Sequence, residues 1–457
     1  MPCPHRHSSN DEDSGIDRRE FMKAAVAIGG ASALATARAR AHGDSHDEPP
    51  GGTDDPDSLP DRQYAWNDHC ETNDTTGLAK TPKHHLQLML DYAGDGTPTE
   101  AEREQVEAAL RTLERGFEWS HEGLLFTIGY SPAYFDRFDA DLPEDTGLRS
   151  PEEVIEASDI NRSGKIEVDD YDAHVHLASD NAVVLLEAEE ALFGNVDAVN
   201  ADGEDGGTEV EATFEGIFEK RDRRTGFINN PHEQWEEHID GKNPVGEDAD
   251  VWFGFKSLFE DSQPDEEHVA ISDPDHPFVD ATTEQASLLR DDGIKEWYNR
   301  NSHEERAARM YSPHHTSEET GQHGRELGDT SGTDDESMAE IAAQTEADAE
   351  TEGVVGHAQK LARARKGEDG TPPLLRRDFP STDGNRAHTQ FISNQRTIDD
   401  FIDVRKAMAF VDTDEGRAES EVPIKDHGIQ GYFQVQSRGT FLVPSRLLRA
   451  LPPADPR

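Results

Sequence analysis

The order of secondary-structure signals in the first half of this chain restricts the fold more than any other feature. Leu86, Leu88 and Leu90 alternate with other residues as in a strand, whereas Val106, Leu110 and Leu113 repeat at helical spacing. The predicted elements are a strand at 86–90, a helix at 98–115, strands at 123–130 and 171–177, a helix from Asp180 to 193 and a strand at 209–218. This is the order of a ferredoxin-like α+β unit.

The C-terminal half contains similar signals. They predict strands at 252–259, 268–271 and 387–394, a helix at 398–409 and a strand or hairpin at 432–443. Residues 312–352 are rich in Gly, Thr, His and acids before they become Ala/Glu-rich, which indicates an inserted surface loop and helix. We therefore predict a duplicated α+β fold with one half at 79–225 and the other at 226–457.

The first 41 residues have the pattern of an export signal. Arg18 and Arg19 precede an Ala/Gly-rich apolar run, and Ala39-Arg40-Ala41 resembles a cleavage site. The run is shorter than the roughly 20 apolar residues that a membrane span needs. We expect twin-arginine export to the cell surface or medium, no membrane span after signal removal, and an acidic linker and lead-in at 42–78.

The charge balance narrows the partners. Asp and Glu number 97 against 44 Lys and Arg, and the formal net charge is −53. Such a chain is a poor ligand for nucleic-acid phosphates, and its self-repulsion indicates a halophilic source with molar salt.

Of the two cysteines only Cys70 follows the signal, which excludes a disulfide or a Cys-based metal centre within one mature chain.

A basic cluster between residues 353 and 380 is the strongest candidate site. His357 precedes Lys360, Arg363, Arg365, Lys366, Arg376 and Arg377 in an otherwise acidic protein. An imidazole beside clustered cations suggests a site for an anionic, metal-bearing ligand. The alternative interpretation is an ordinary histidine among cations that form salt bridges with the abundant acids.

Several segments together resemble the dye-decolourising (Dyp-type) peroxidase family. They are Gly-Leu-Leu-Phe-Thr-Ile-Gly-Tyr at 123–130, Asp-Ala-His-Val-His-Leu-Ala-Ser-Asp at 172–180, Gly-Phe-Ile-Asn-Asn at 226–230, Gly-His at 356–357 and Leu-Arg-Arg-Asp-Phe-Pro at 375–380. The resemblance implies two ferredoxin-like halves forming a dimeric-α+β-barrel-like core. It also implies haem b as cofactor, with peroxide and small organic reductants as substrates.

Residue by residue, the resemblance assigns His357 as the haem ligand and Arg376 as the distal arginine that stabilises peroxide cleavage. It places cofactor contacts at Arg363, Arg365, Gly226 and Phe227. A second basic cluster at 220–224 precedes Gly226 and is expected beside the same porphyrin.

The sequence departs from the family at the distal acid. The family has an aspartate in a Gly-x-x-Asp-Gly motif, and Asn229 occupies the matching position here. A carboxamide cannot shuttle a proton, so efficient turnover is in question. Asp378, two residues after Arg376, is the candidate substitute.

Two other candidate metal sites have weaker patterns. Asp159, Asn161, Ser163 and Asp170 are spaced like a calcium loop, but a strand pattern follows where a helix is needed, so an acid-rich turn is the preferred interpretation. His174 and His176 share one face of a strand and His314-His315 lie in the insertion. Copper or zinc binding and solvent-facing histidines both account for these four.

Three functions remain open from the sequence. The first is an exported haem peroxidase. The second is a haem or iron carrier with little turnover, because Asn229 replaces the aspartate. The third is a cofactor-free binding protein on the same fold. A homo-oligomer is compatible with each of them.

Overall fold

We analysed a computed structural model of the chain. It describes residues 49–456 except 75, 159–164, 202–206, 229, 248, 250, 257–258, 260–261, 322–323, 328–337, 366–369 and 410–425. The described residues all belong to one compact unit. Among the described residues, no helix is both long and apolar enough to cross a bilayer. The predicted export signal lies outside the described residues, as do Asn229 and three calcium candidates, Asp159, Asn161 and Ser163.

The described residues form strands and helices in mixed order. The strands are β1 His84–Tyr92, β2 Leu125–Tyr130, β3 Glu167–Val168, β4 Ala173–Ser179, β5 Ala198–Val199, β6 Thr208–Glu209, β7 Phe218–Phe227, β8 Thr282–Arg290, β9 Leu375–Arg376, β10 Phe379–Ser381, β11 His388–Gln395 and β12 Gln434–Val443. The α-helices are α1 Glu100–Gly116, α2 Pro132–Phe135, α3 Pro151–Ser158, α4 Ala182–Leu192, α5 Pro231–His238, α6 Ile294–Arg300, α7 His303–Met310, α8 Ser317–Thr320, α9 Met338–Thr351, α10 His357–Ala362 and α11 Ile398–Ala409.

Ten strands form one sheet in the order β10-β11-β8-β12-β2-β4-β1-β7, with β3 added to β12 and β9 to β11. Within the first half the order is β2-β4-β1-β7, and within the second it is β10-β11-β8-β12. Each half thus places its second, third, first and fourth strands side by side, which is the ferredoxin-like arrangement. The predicted α+β class with two ferredoxin-like halves is confirmed.

Local signals explain why most elements form where the sequence predicts them. Helix α1 begins after Thr99, whose hydroxyl accepts from the Glu102 backbone N–H while the Glu102 carboxylate accepts from that of Thr99, a capping box. The apolar face of α1 and that of α4 pack on Leu86, Leu88 and Leu90 of β1. Helix α4 is capped by Asn181 and not by the predicted Asp180, which instead pairs with Lys83.

Three predicted strands are wrong. Alternation at 209–218 comes from a turn beneath α4, where the Phe214 N–H bonds the Leu192 carbonyl and Gly216 has φ +79°. Its strand is instead β7, which begins at Phe218. Among the described residues of 252–259, the apolar side chains are buried in turns broken by Gly254 at φ +79°, and 268–271 is likewise a turn with buried apolar residues. Burial without strand pairing accounts for these apolar runs.

The two outer strands of the sheet meet. The Thr225 N–H and hydroxyl of β7 both donate to the Asp383 carboxylate beyond β10, at 2.8 and 2.6 Å. Gly226 packs against the Phe379 ring and leaves no room for a Cβ. The sheet is therefore closed edge to edge by side chains, as the predicted barrel-like core requires.

The inner face of this closed sheet buries histidines. His85 Nε2 donates to the Pro82 carbonyl at 2.8 Å, so its Nδ1 accepts from His176 Nε2 at 3.0 Å. His174 Nδ1 lies 2.6 Å from Glu284. Of the two interpretations of His174 and His176, solvent exposure is wrong, because both are buried and contact Glu284 and Phe379 of the opposite half. No group of three metal-ligating side chains occurs in the described part of the chain.

Candidate functional site

A cavity of about 210 Å³ lies on the outer face of the second half. Its floor is β8, β11 and β12, and its walls are α10, α11 and residues 251–253, 256, 259 and 262. The apolar lining includes Phe253, Phe259, Leu289, Phe391, Phe401 and Met408. Its cations are Lys256, Arg365, Arg376, Arg405 and Arg438. A site that is apolar over its walls and positive at several points favours an apolar ligand with anionic groups.

His357 is the first residue of α10, and its half-buried ring lines the cavity. Its Nδ1 is buried and has no hydrogen-bond partner among the described residues. Burial, and then the charges of Lys360, Arg376 and Arg405, hold the pKa of His357 well below its usual value. The ring is therefore neutral near pH 7 and has a lone pair for a metal.

Two glycines let the His357 backbone sit this deep. A methyl group at Gly356 would overlap the Tyr311 carbonyl oxygen. Gly428 has φ +67°, and a Cβ there would lie 3.0 Å from the His357 nitrogen. Both contacts require residues without a side chain, so the start of α10 is fixed between Tyr311 and the 426–431 segment.

Hydrogen bonds hold α10 from behind. The fully buried Lys360 ammonium donates to the His427 carbonyl and, at 2.7 Å, to Gln430. Gln359 accepts from the Gly356 N–H and donates to Asp348 at 2.7 Å. These contacts fix the helix that presents His357.

Arg376 and Asp378 reach the cavity because β9 and β10 follow an extended path, in which alternate residues share a face. The Arg376 backbone exchanges two hydrogen bonds with the Gln263 side chain. Arg377 faces the other way and pairs with Glu266 at 3.0 Å. Arg376 and Asp378 are both half-buried, so each can reach a ligand.

Arg405 of α11 and Arg438 of β12 both line this cavity, Arg405 half-buried and Arg438 buried. Arg438 is 3% exposed, donates to Ser287 at 2.9 Å and lies over the Phe401 ring. Among the described residues neither arginine pairs with a carboxylate, and both Nε atoms are unpartnered. Burial lowers the pKa of Arg405 to about 10, whereas burial and then the charge of Arg405 lower that of Arg438. Two cations in one cavity without a carboxylate partner in the described part of the chain favour an anionic ligand.

The other predicted site residues are distributed differently. Arg365 lines the cavity, but Arg363 is bonded to the Ala407 carbonyl at 2.9 Å. Gly226 packs on Phe379, and Phe227 lies in a cluster with Trp252, so neither lines the cavity. Asn229 lies outside the described residues.

The second basic cluster does not face the cavity. Lys220 and Arg223 pair with Glu189, while Arg224 pairs with Asp169 and Arg221 lies near Asp91. These cations therefore form salt bridges. Asp170, the calcium candidate that the structure describes, is exposed. His314 of the insertion bonds Asp348 at 2.7 Å.

Sequence reasoning missed Arg405, Arg438 and Asp291, which all line the cavity. A signal existed for the arginines. Arg405 interrupts the apolar face that Phe401 and Met408 define on α11, and Arg438 is the one charged residue of β12. A charge on a buried face is a feature that calls for a partner.

The fold and the site define a two-half α+β protein with a cationic ligand cavity beside a neutral histidine. By sequence the chain belongs to the family of unknown function DUF7405, which matches residues 82–445. No curated protein matches it.

Solved structures similar to this chain include Dyp-type peroxidases, the class that the sequence motifs resemble. A putative Dyp-type peroxidase from Shewanella oneidensis has TM-score 0.47 and 15% identity, covering 80% of this chain and 94% of that one. A dye-decolorizing protein from V. cholerae has TM-score 0.48 and 13% identity, and the match covers 81% of this chain and 96% of that one. The encapsulated Dyp-type peroxidase from Mycobacterium smegmatis has TM-score 0.48 and 16% identity, and the match covers 82% of this chain and 96% of that one.

Proposed function

We propose that this chain binds haem b in the cavity and uses it as a peroxidase. The observation that supports this most is that two arginines without a carboxylate partner among the described residues, the half-buried Arg405 and the buried Arg438, line the same cavity as the neutral imidazole of His357. Haem combines an iron, an apolar macrocycle and two carboxylates. The residues present fit each of these three parts.

Each part of haem would have its own partners. His357 would hold the iron, since its ring is neutral and lines the cavity. Phe391, Phe401 and other apolar side chains would cover the macrocycle. Arg405 and Arg438 would hold the carboxylates through charge-assisted hydrogen bonds.

Bound haem would supply the redox chemistry with peroxide and with a small organic reductant. Arg376 would place a permanent positive charge and N–H donors where negative charge develops on oxygen. An arginine is a poor proton carrier, so a carboxyl group is needed as well. Asp378 lies two residues away in the same cavity and is the nearest in sequence to take this role.

Reconstitution tests the proposal. Full-length chain purified in high salt and supplied with haem should show a Soret band that His357→Ala removes and the exposed-site control His268→Ala retains. A preparation that stays colourless would overturn haem binding and leave the cofactor-free binding protein.

Peroxide then separates enzyme from carrier. Arg376→Ala should keep the Soret band and slow the reaction with peroxide roughly 100-fold, the usual effect of removing one such donor. Equal rates in wild type and Arg376→Ala would support the carrier. Asn229→Asp should raise the rate if position 229 is the family's distal position.

We also propose export by the twin-arginine route, which rests on Arg18, Arg19 and the apolar run that follows. Arg18→Lys with Arg19→Lys should keep the protein inside cells of a salt-adapted host. Secretion of the double variant at the wild-type level would contradict this route.

A further inference from the structure

Asp291 lines the same cavity at the end of β8. Strand residues alternate between faces, so Ser287, Leu289 and Asp291 lie in a row along the cavity floor. Four residues of strand span roughly 13 Å. Asp291 is thus at the far end of the floor from Ser287, which binds Arg438.

The Asp291 carboxyl is 2% exposed and only half satisfied. Oδ2 accepts from the Thr389 hydroxyl at 3.0 Å, and the backbone N–H donates to the Ala387 carbonyl. Oδ1 is buried and, within the described ranges, has no partner. A buried oxygen without a partner inside a ligand cavity is a position that a ligand can satisfy.

No cation neutralises this carboxyl in the described residues. Arg290 next to it forms an ion pair with Asp292 at 2.6 Å and donates a hydrogen bond to Gln434 at 2.8 Å. Burial lowers the pKa of His388 on the adjacent strand. Burial, which outweighs the Thr389 hydrogen bond, and the charge of Asp292 raise the pKa of Asp291 well above its ordinary value.

We propose that Asp291 is a neutral carboxylic acid whose Oδ1–H donates a hydrogen bond to the occupant of this cavity. The identity of that occupant rests on the function proposed above. The cavity then has two different polar ends, with guanidiniums at one and an uncharged donor at the other. An ionised aspartate would repel an anionic ligand, whereas the acid form binds an acceptor oxygen and selects ligands that have one at this end.

Infrared spectroscopy tests the neutral acid directly. The full ligand-free chain at pH 7 should show a carboxylic-acid C=O band that Asp291→Asn removes and the neighbouring Asp292→Asn retains. Thr389→Val should move the band to higher frequency, because the C=O loses its donor. Absence of the band at pH 7, or its persistence in Asp291→Asn, would overturn the proposal.

Addition of haem tests whether the O–H faces the occupant. In protein that shows a Soret band, the C=O band should shift when haem is added, and an unchanged band would overturn the donor role. If no Soret band forms, the proposed function fails separately, and the ligand-free spectra still decide whether Asp291 is a neutral acid. Circular dichroism verifies that Asp291→Asn is folded. If Asp291→Asn does not fold, the frequency shift of the C=O band in Thr389→Val decides whether the band belongs to Asp291.

Discussion

Gly356 packs directly against the carbonyl oxygen of Tyr311, with no space for a Cβ between them. Gly356→Ala should therefore push α10 and the His357 ring out of place. We expect a loss of about 1–3 kcal/mol in the free energy of unfolding, as for other overpacked sites, together with weaker haem binding. Denaturant titration and Soret titration measure the two effects. Gly51→Ala, where a Cβ meets nothing within 4 Å, is the control and should change neither. Wild-type haem affinity in Gly356→Ala would contradict the positioning of His357.

The Arg405 side chain should lower the stability of the ligand-free protein and strengthen haem binding. Its side chain is half-buried with a buried Nε, and it lacks a carboxylate partner in the described part of the chain. Arg405→Leu should thus raise the unfolding temperature of the ligand-free chain and weaken haem binding about tenfold, or ~1.4 kcal/mol.

Arg300→Leu is the matched control for Arg405→Leu, because Arg300 is an exposed cation paired with Glu296 on its own helix. It should change stability by less than about 1 kcal/mol and leave haem affinity unaltered. Lower stability with unchanged affinity in Arg405→Leu would show that Arg405 is purely structural.

The buried histidines should make the fold acid-sensitive. Burial lowers the pKa of His85 to about 3, whereas an unfolded histidine titrates near 6.5. Between these values the unfolded state binds the extra proton, so stability falls as pH falls below about 6.5. The contribution reaches on the order of 3 kcal/mol at pH 4.

Unfolding followed from pH 7 to pH 4 measures this contribution. His85→Gln should lose less stability than wild type over that range, and the exposed-site control His268→Gln should follow wild type. Identical slopes in all three proteins would contradict it.

Asp291 should make the protein less stable as pH rises, which is the opposite of the pH dependence expected from His85. Because its pKa is raised in the folded state, the native protein binds more protons than the unfolded chain above about pH 3.9. Its contribution to stability is complete below that pH and is lost as pH rises. Asp291→Asn should therefore exceed wild type in unfolding temperature by a margin that grows from pH 5 to pH 8. A margin that shrinks over this range would contradict a raised pKa.

Local patterns predicted the elements whose signals lie within a few residues. Helix α11 has the predicted bounds, because the apolar residues from Ile398 to Met408 repeat at helical spacing after a capping segment at Thr397. The predicted strand at 209–218 failed because alternation cannot distinguish a strand from a buried turn, and only the contacts of Phe214 with α4 decide.

The candidate site was predictable in the same partial way. His357 and Arg376 are close in sequence and stand out as a basic cluster, so both were found. Arg405, Arg438 and Asp291 are distant from it in sequence, and each has one buried polar atom without a partner among the described residues. Such a property depends on what surrounds the side chain, which no local pattern contains.

The two hydrogen bonds from Thr225 to Asp383 affect how readily this protein aggregates at high concentration. Exposed strand edges are templates on which other chains add, and aggregation commonly begins there. Because the Thr225 N–H is already bound to Asp383, that part of β7 offers no free donor to a second molecule. The two hydrogen bonds that close the sheet thus also prevent a second molecule from adding a strand at this position.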